Sequence, residues 1–106
     1  MVHKYYPNPQ EKIVFSANGP QPQSLFTEGQ VKVIVVGLNA GQKIPPHPEG
    51  LSVFQFIEGK GTMIVDGERL ALAPGTVIIA GEGSPRGIEA ETQLKFMAVR
   101  ITELPH

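Results

Sequence analysis

Apolar residues along this chain recur at every second position or gather in short β-branched runs, such as V-I-V-V at 33–36 and T-V-I-I-A at 76–80. Nowhere do they hold a 3.6-residue period for three turns, so the pattern predicts an all-β protein and excludes a helical bundle. The predicted strands are Lys12 to Ser16, Gln23 to Glu28, Gln30 to Leu38, Ser52 to Glu58, Gly61 to Val65, Glu68 to Leu72, Thr76 to Ala80, Arg86 to Ala90 and Gln93 to Thr102. Turn residues bound these runs. V-D-G-E at 65–68 is an Asp-Gly hairpin signal, and E-G-K-G at 58–61 supplies the positive φ of another. Many short strands joined by such turns predict a sandwich or barrel with Greek-key or jelly-roll connectivity.

The chain has 106 residues, the size of one domain, so 1–106 is expected to form a single unit with an extended segment over 1–23. Gly (12) and Pro (10) are spread along the whole length, which adds turns everywhere. The Pro-rich stretches Pro7 to Gln10 and Asn18 to Gln23 are expected to run over the surface, and the tail E-L-P-H is expected to fray. Lys and Arg number 9 against 10 acidic residues, which offers no basic footprint for nucleic acid or an anionic membrane. The absence of Cys removes disulfides, thiolate metal sites and a thiol nucleophile together. With no apolar leader at the N-terminus and no run long enough to span a bilayer, a soluble, cytoplasmic protein is expected.

Candidate chemistry is sparse. In G-Q-K-I-P-P-H-P-E-G, at 41–50, His47 and Glu49 stand two apart on an extended segment, so both side chains can face the same way. Two ligands fall short of the three or more that a divalent site needs, and His3 and His106 lie in terminal segments. No phosphate-binding Gly loop or nucleophile elbow is present, so nothing supports nucleophilic catalysis. Phe54 and Phe56 share one strand face, with Val53 and Ile57 on the other, free to cover a second sheet or a partner subunit.

The same residues resemble the cupin family, whose fold is a small jelly-roll barrel, the double-stranded β-helix. Gly41 and His47 stand at the spacing of the first cupin motif, Glu49 takes the place of its second His, and its Glu position falls on Ser52, Val53 or Phe54. In the second motif Gly75 and Gly83 match, while Gly81 replaces the Pro, Arg86 the His and Ala90 the Asn. The resemblance covers about residues 31–100. It implies one retained metal ligand of four, so a metal-free protein with no cofactor is expected. It also implies a barrel pocket made by His47, Glu49, Ser52, Phe54, Phe56 and Arg86.

An inward Arg86 would repel a cation and favour a carboxylate or phosphate, or pair with Glu49 inside the barrel. A surface arginine beside Pro85 is the competing reading. His47 is a pocket group or a hydrogen-bonded loop histidine, and Glu49 a desolvated acid or base or a solvated loop carboxylate. The phenylalanines serve ligand stacking or simple core packing. Three functional readings follow. The first is a binding module for a small organic, anionic ligand. The second is a cupin-type enzyme, either a metal-dependent oxygenase or a metal-free isomerase or lyase using His47 and Glu49. The third is a structural or interaction subunit with a filled barrel. The marginal size and the habit of cupins to pair through sheet faces predict a homodimer.

Overall fold

The computed structural model describes residues 3–101. A single 3-10 turn, Pro9–Lys12, precedes nine strands: β1 (Gln23–Glu28), β2 (Val31–Leu38), β3 (Lys43–Pro48), β4 (Leu51–Glu58), β5 (Gly61–Val65), β6 (Glu68–Leu72), β7 (Val77–Ala80), β8 (Pro85–Ala90) and β9 (Leu94–Ile101). They form a five-stranded sheet in the order β1-β2-β9-β4-β7 and a four-stranded sheet in the order β3-β8-β5-β6. Every pairing is antiparallel. The chain passes repeatedly from one sheet to the other, which is the jelly-roll arrangement that the strand spacing and turns predict.

Period-two alternation builds the interior. Phe54 and Phe56 from β4, Ile78 and Ala80 from β7, Leu94, Phe96 and Ala98 from β9, and Ile34, Val36 and Leu38 from β2 point inward from the larger sheet. Met63, Leu72, Ile88 and Ala90 meet them from the smaller one. The β5–β6 hairpin turns at Asp66 (φ 51°) and Gly67 (φ 82°), the two positive angles that a tight two-residue turn of this hand requires.

Two predicted features need correction. Lys12 to Ser16 alternates like a strand but pairs with nothing: Ile13 and Phe15 lie across the backbone of β2 where a Cβ on Gly37 would stand. The side chain of Gln42 donates from Nε2 to the carbonyl of Ser16 at 2.7 Å and ties this strap down. Conversely, β3 is a strand that the prolines conceal. Three of its six residues (Lys43–Pro48) are proline and lack an N–H, and only the edge of a sheet, where β3 lies, tolerates that loss. Its ladder to β8 skips between Ile44 and His47 for the same reason. β3 and β8 meet closely at Gly87, where a Cβ would stand 2.6 Å from the carbonyl oxygen of Ile44 and 2.7 Å from the nitrogen of Pro46. The C-terminal tail, with Thr102 and His106, lies outside the described residues. Among the described residues no helix is long and apolar enough to cross a membrane.

Candidate functional site

One half of the barrel is packed solid and the other is open. Between the sheets lies a cavity of about 260 Å3, with an apolar wall of Ile34, Val36, Ile44, Phe54, Ile88 and Phe96. Its polar end carries His47, Glu49, Arg86 and Arg100, and Pro20 and Pro22 of the segment before β1 also line it. Of the residues read from sequence as pocket-forming, His47, Glu49, Phe54 and Arg86 meet here. Ser52 and Phe56 do not line the cavity. Both point inward from β4, but Ser52 lies beneath Arg86 and Phe56 is 1% exposed in the closed half. There its ring packs on Phe96 at 5.3 Å between centroids, and Phe96 also contacts Phe54 at 6.1 Å.

Arg86 is 3% exposed, so the surface-loop reading falls and the inward one holds. Its register partner across the ladder is His47, which sets it under the turn joining β3 to β4. There its donors are consumed by the protein itself. Nε donates to Ser84 O at 2.7 Å, Nη1 to Gly50 O at 2.8 Å and Ser52 Oγ at 3.0 Å, and Nη2 to Gly81 O at 2.7 Å and Glu49 O at 3.4 Å. A guanidinium has five N–H groups, and all five are directed at these acceptors. Ser52 passes its own hydrogen to Gly50 O at 3.0 Å. Burial lowers the pKa of Arg86 from its ordinary value, the charge of Glu49 opposes that shift, and the charge of Arg100 adds to it.

The expected internal ion pair is therefore corrected. Arg86 meets the backbone of Glu49, because the carbonyls of the turn reach its N–H groups first, and the Glu49 side chain extends elsewhere. Its Oε1 lies 2.9 Å from His47 Nε2 and its Oε2 lies 3.5 Å from Arg100 Nη1. His47 Nδ1 sits 2.9 Å from Pro45 O. His47 and Glu49 are thus hydrogen-bonded to each other among the polar residues of the pocket.

Arg100 was absent from the sequence reading. The signal that finds it is alternation: Leu94, Phe96 and Ala98 face inward on β9, and the next position in that series is 100. It sits between Lys32 of β2 and Ser52 of β4 in the sheet register. Its Nε is buried and has no hydrogen-bond partner among the described residues.

The cupin resemblance raises the question of a divalent ion at this place. Among the described residues no three His, Cys, Asp or Glu side chains come together. The two available donors, His47 and Glu49, are engaged with each other, and two guanidiniums share their cavity. That set does not fit a divalent cation, which favours three or more anionic or neutral donors and no adjacent cation.

No family model matches the chain, and no curated protein matches it. Solved structures do. An RmlC-like cupin protein from Desulfovibrio desulfuricans superposes with a TM-score of 0.81 at 25% identity, over 92% of this chain and 95% of that one. A conserved protein of unknown function from Streptococcus pyogenes gives 0.83 at 18% identity, over 99% and 93%. Salicylate 1,2-dioxygenase from Pseudoaminobacter salicylatoxidans gives 0.72 at 26% identity over 80% of this chain, which spans only 27% of that one. Two antiparallel sheets closed around a pocket open at one end, in a topology shared with these proteins and with the motif glycines in place, make this chain a small cupin-fold protein.

Proposed function

We propose that the protein binds a small organic anion in its barrel without a metal ion. The observation that carries this reading is the composition of the cavity: two guanidiniums and one carboxylate at one end, and an apolar wall at the other. A volume of about 260 Å3 is below the roughly 300–1,000 Å3 of drug-sized pockets, which points to a compact metabolite. The substrate named for the structurally similar dioxygenase, salicylate, is an apolar ring bearing a carboxylate and belongs to the same chemical class.

Elemental analysis of protein purified without a chelating tag, followed by thermal-shift screening of organic acids, tests the proposal. The expected result is substoichiometric metal and stabilisation by at least one acid, about 2.7 kcal/mol at 100 times its dissociation constant. One equivalent of iron, manganese, nickel or zinc, lost on His47→Ala, would show the metal-free reading to be wrong and favour an oxygenase.

The hydrogen-bonded His47–Glu49 pair supports a second reading, a metal-free isomerase or lyase in which this pair moves a proton. NMR of any stabilising acid incubated with the protein separates the two. Conversion by the wild type and not by Glu49→Gln establishes the enzyme, and an unchanged ligand establishes the binding module.

We also propose a homodimer, formed through the outer face of the five-stranded sheet. Val53, Val77 and Ile79 are 37%, 54% and 66% exposed, and Val53 and Ile79 are direct cross-strand neighbours on β4 and β7. A second copy covering this row would remove it from water.

A further inference from the structure

We infer that Arg100, and not Arg86, anchors the ligand, and that the ligand is a monocarboxylate with an apolar body. The inference rests on the pocket reading above and deepens it. Both arginines border the cavity, yet their hydrogen bonding differs completely. Arg86 spends every N–H on Glu49, Gly50, Ser52, Gly81 and Ser84, so it contributes charge to the pocket and no free donor. Arg100 makes no hydrogen bond within the described residues. Its ion-pair partner among the described residues is Glu49, at 3.5 Å, and its Nε is buried without a hydrogen-bond partner.

The Arg100 side chain lines the cavity, is 24% exposed and gives its N–H groups to no acceptor within hydrogen-bond distance among the described residues, so a ligand that supplies an acceptor there meets donors that are not already spent. The free group is a single planar fork, whose geometry matches one carboxylate through two parallel N–H···O bonds. Phosphate fits less well. Its remaining oxygens would face Phe54, Phe96 and Ile34, which offer no donors. The hydrocarbon part of the ligand covers that wall, and the Phe54 ring favours a flat or aromatic body. Glu49 then has a definite role. It holds the guanidinium of Arg100 from one side and His47 from the other, so the fork is oriented before the ligand arrives.

Isothermal titration and thermal shift with paired probes test this: acetate, hexanoate, benzoate and phenylpropionate, each beside its neutral amide. The acids with an apolar body are expected to bind and their amides to fail. Arg100→Gln is expected to weaken the acids by about tenfold or more, the size of a lost charge-assisted hydrogen bond. Arg100→Lys, which keeps the charge and loses the fork, should weaken them as well. A third readout needs no variant, because the Arg100 Nε–H resonance of the wild type should shift on titration with the tightest acid. Equal binding of acids and amides would overturn the carboxylate assignment and the anionic part of the pocket reading, leaving only a barrel that binds small organic molecules. Acid binding that leaves the Arg100 Nε–H resonance unmoved would overturn the anchor. Failure of every probe would overturn both this inference and the proposed function.

Discussion

Arg86 and Arg100 are two inward arginines with opposite duties, and the difference comes from where each backbone position lies. Arg86 sits opposite His47 at the end of β8, directly beneath carbonyls that have turned out of the ladder at the β3–β4 and β7–β8 connections. A buried carbonyl without a donor is costly, and one guanidinium satisfies four of them along with the Ser52 hydroxyl. Removing it takes a donor from each, although Glu49 O keeps Gly83 N, Gly81 O keeps Ser84 N and Gly50 O keeps Ser52 Oγ. Arg86→Met is therefore expected to lower the unfolding free energy by about 1–3 kcal/mol, measured by urea denaturation. Arg86→Lys should recover only part of that, because an ammonium offers three donors on one centre. Little change in either variant would contradict the clamp. The family motif located Arg86 in the sequence, but it could not reveal that the side chain's donors are already spent. That depends on carbonyls from residues 49, 50, 81 and 84, which only the folded loops bring within reach.

Strands followed hydrophobic period wherever side chains alternate cleanly between core and solvent. β1, β5 and β6 have the predicted limits, β2, β4, β7 and β8 differ by a residue at their first position, and β9 begins one residue later than predicted, its predicted last residue lying outside the described ones. The exceptions, the strap at 12–16 and β3, are segments in which pairing was decided by something other than period. In one, Ile13 and Phe15 pack across the face of β2 at Gly37 instead of along a strand edge. In the other, prolines confine a real strand to a sheet edge. Across the outer surface of the smaller sheet, Arg69 of β6 reaches over β5 to Glu89 of β8, with Nη2 to Oε1 at 2.8 Å. That hydrogen bond holds the Glu89 carboxyl below its usual pKa. A carboxylate with a depressed folded-state value contributes stability that is present above the unfolded-state pKa and lost as pH falls through the lowered one. Arg69→Ala should accordingly lower the neutral plateau of a stability-versus-pH profile slightly and flatten the acid limb by the same small amount, with low-pH stability unchanged, since the pair is solvent-exposed. An unaltered acid limb would remove the pair from the account of pH dependence.

The two sheets together produce what no strand has alone: an interior closed at one end by Phe56, Leu38, Leu94 and Met63 and open at the other towards the polar residues. They also leave an outer face that carries Val53, Val77 and Ile79 in water. If that face is the dimer interface, the wild type should run at twice the chain mass in light scattering, and Ile79→Asp with Val77→Asp should run as a folded monomer. A wild-type monomer at high micromolar concentration would end the dimer proposal.

The hydrophobic alternation and the Gly, Pro and Asp punctuation determined by themselves that this is an all-β sandwich or barrel, and the motif resemblance narrowed it to the jelly roll. Those signals are local, and each is written in neighbouring residues. The placement of His47 and Arg86 near one another was also legible, through motif spacing. What only the tertiary structure decided is which charges meet. Glu49 pairs with His47 and Arg100 instead of Arg86, and Arg100 comes to the pocket from a strand far along the chain. Hydrogen-bond satisfaction is a competition among all groups within a few ångströms, and that neighbourhood exists only once the two sheets have closed on each other.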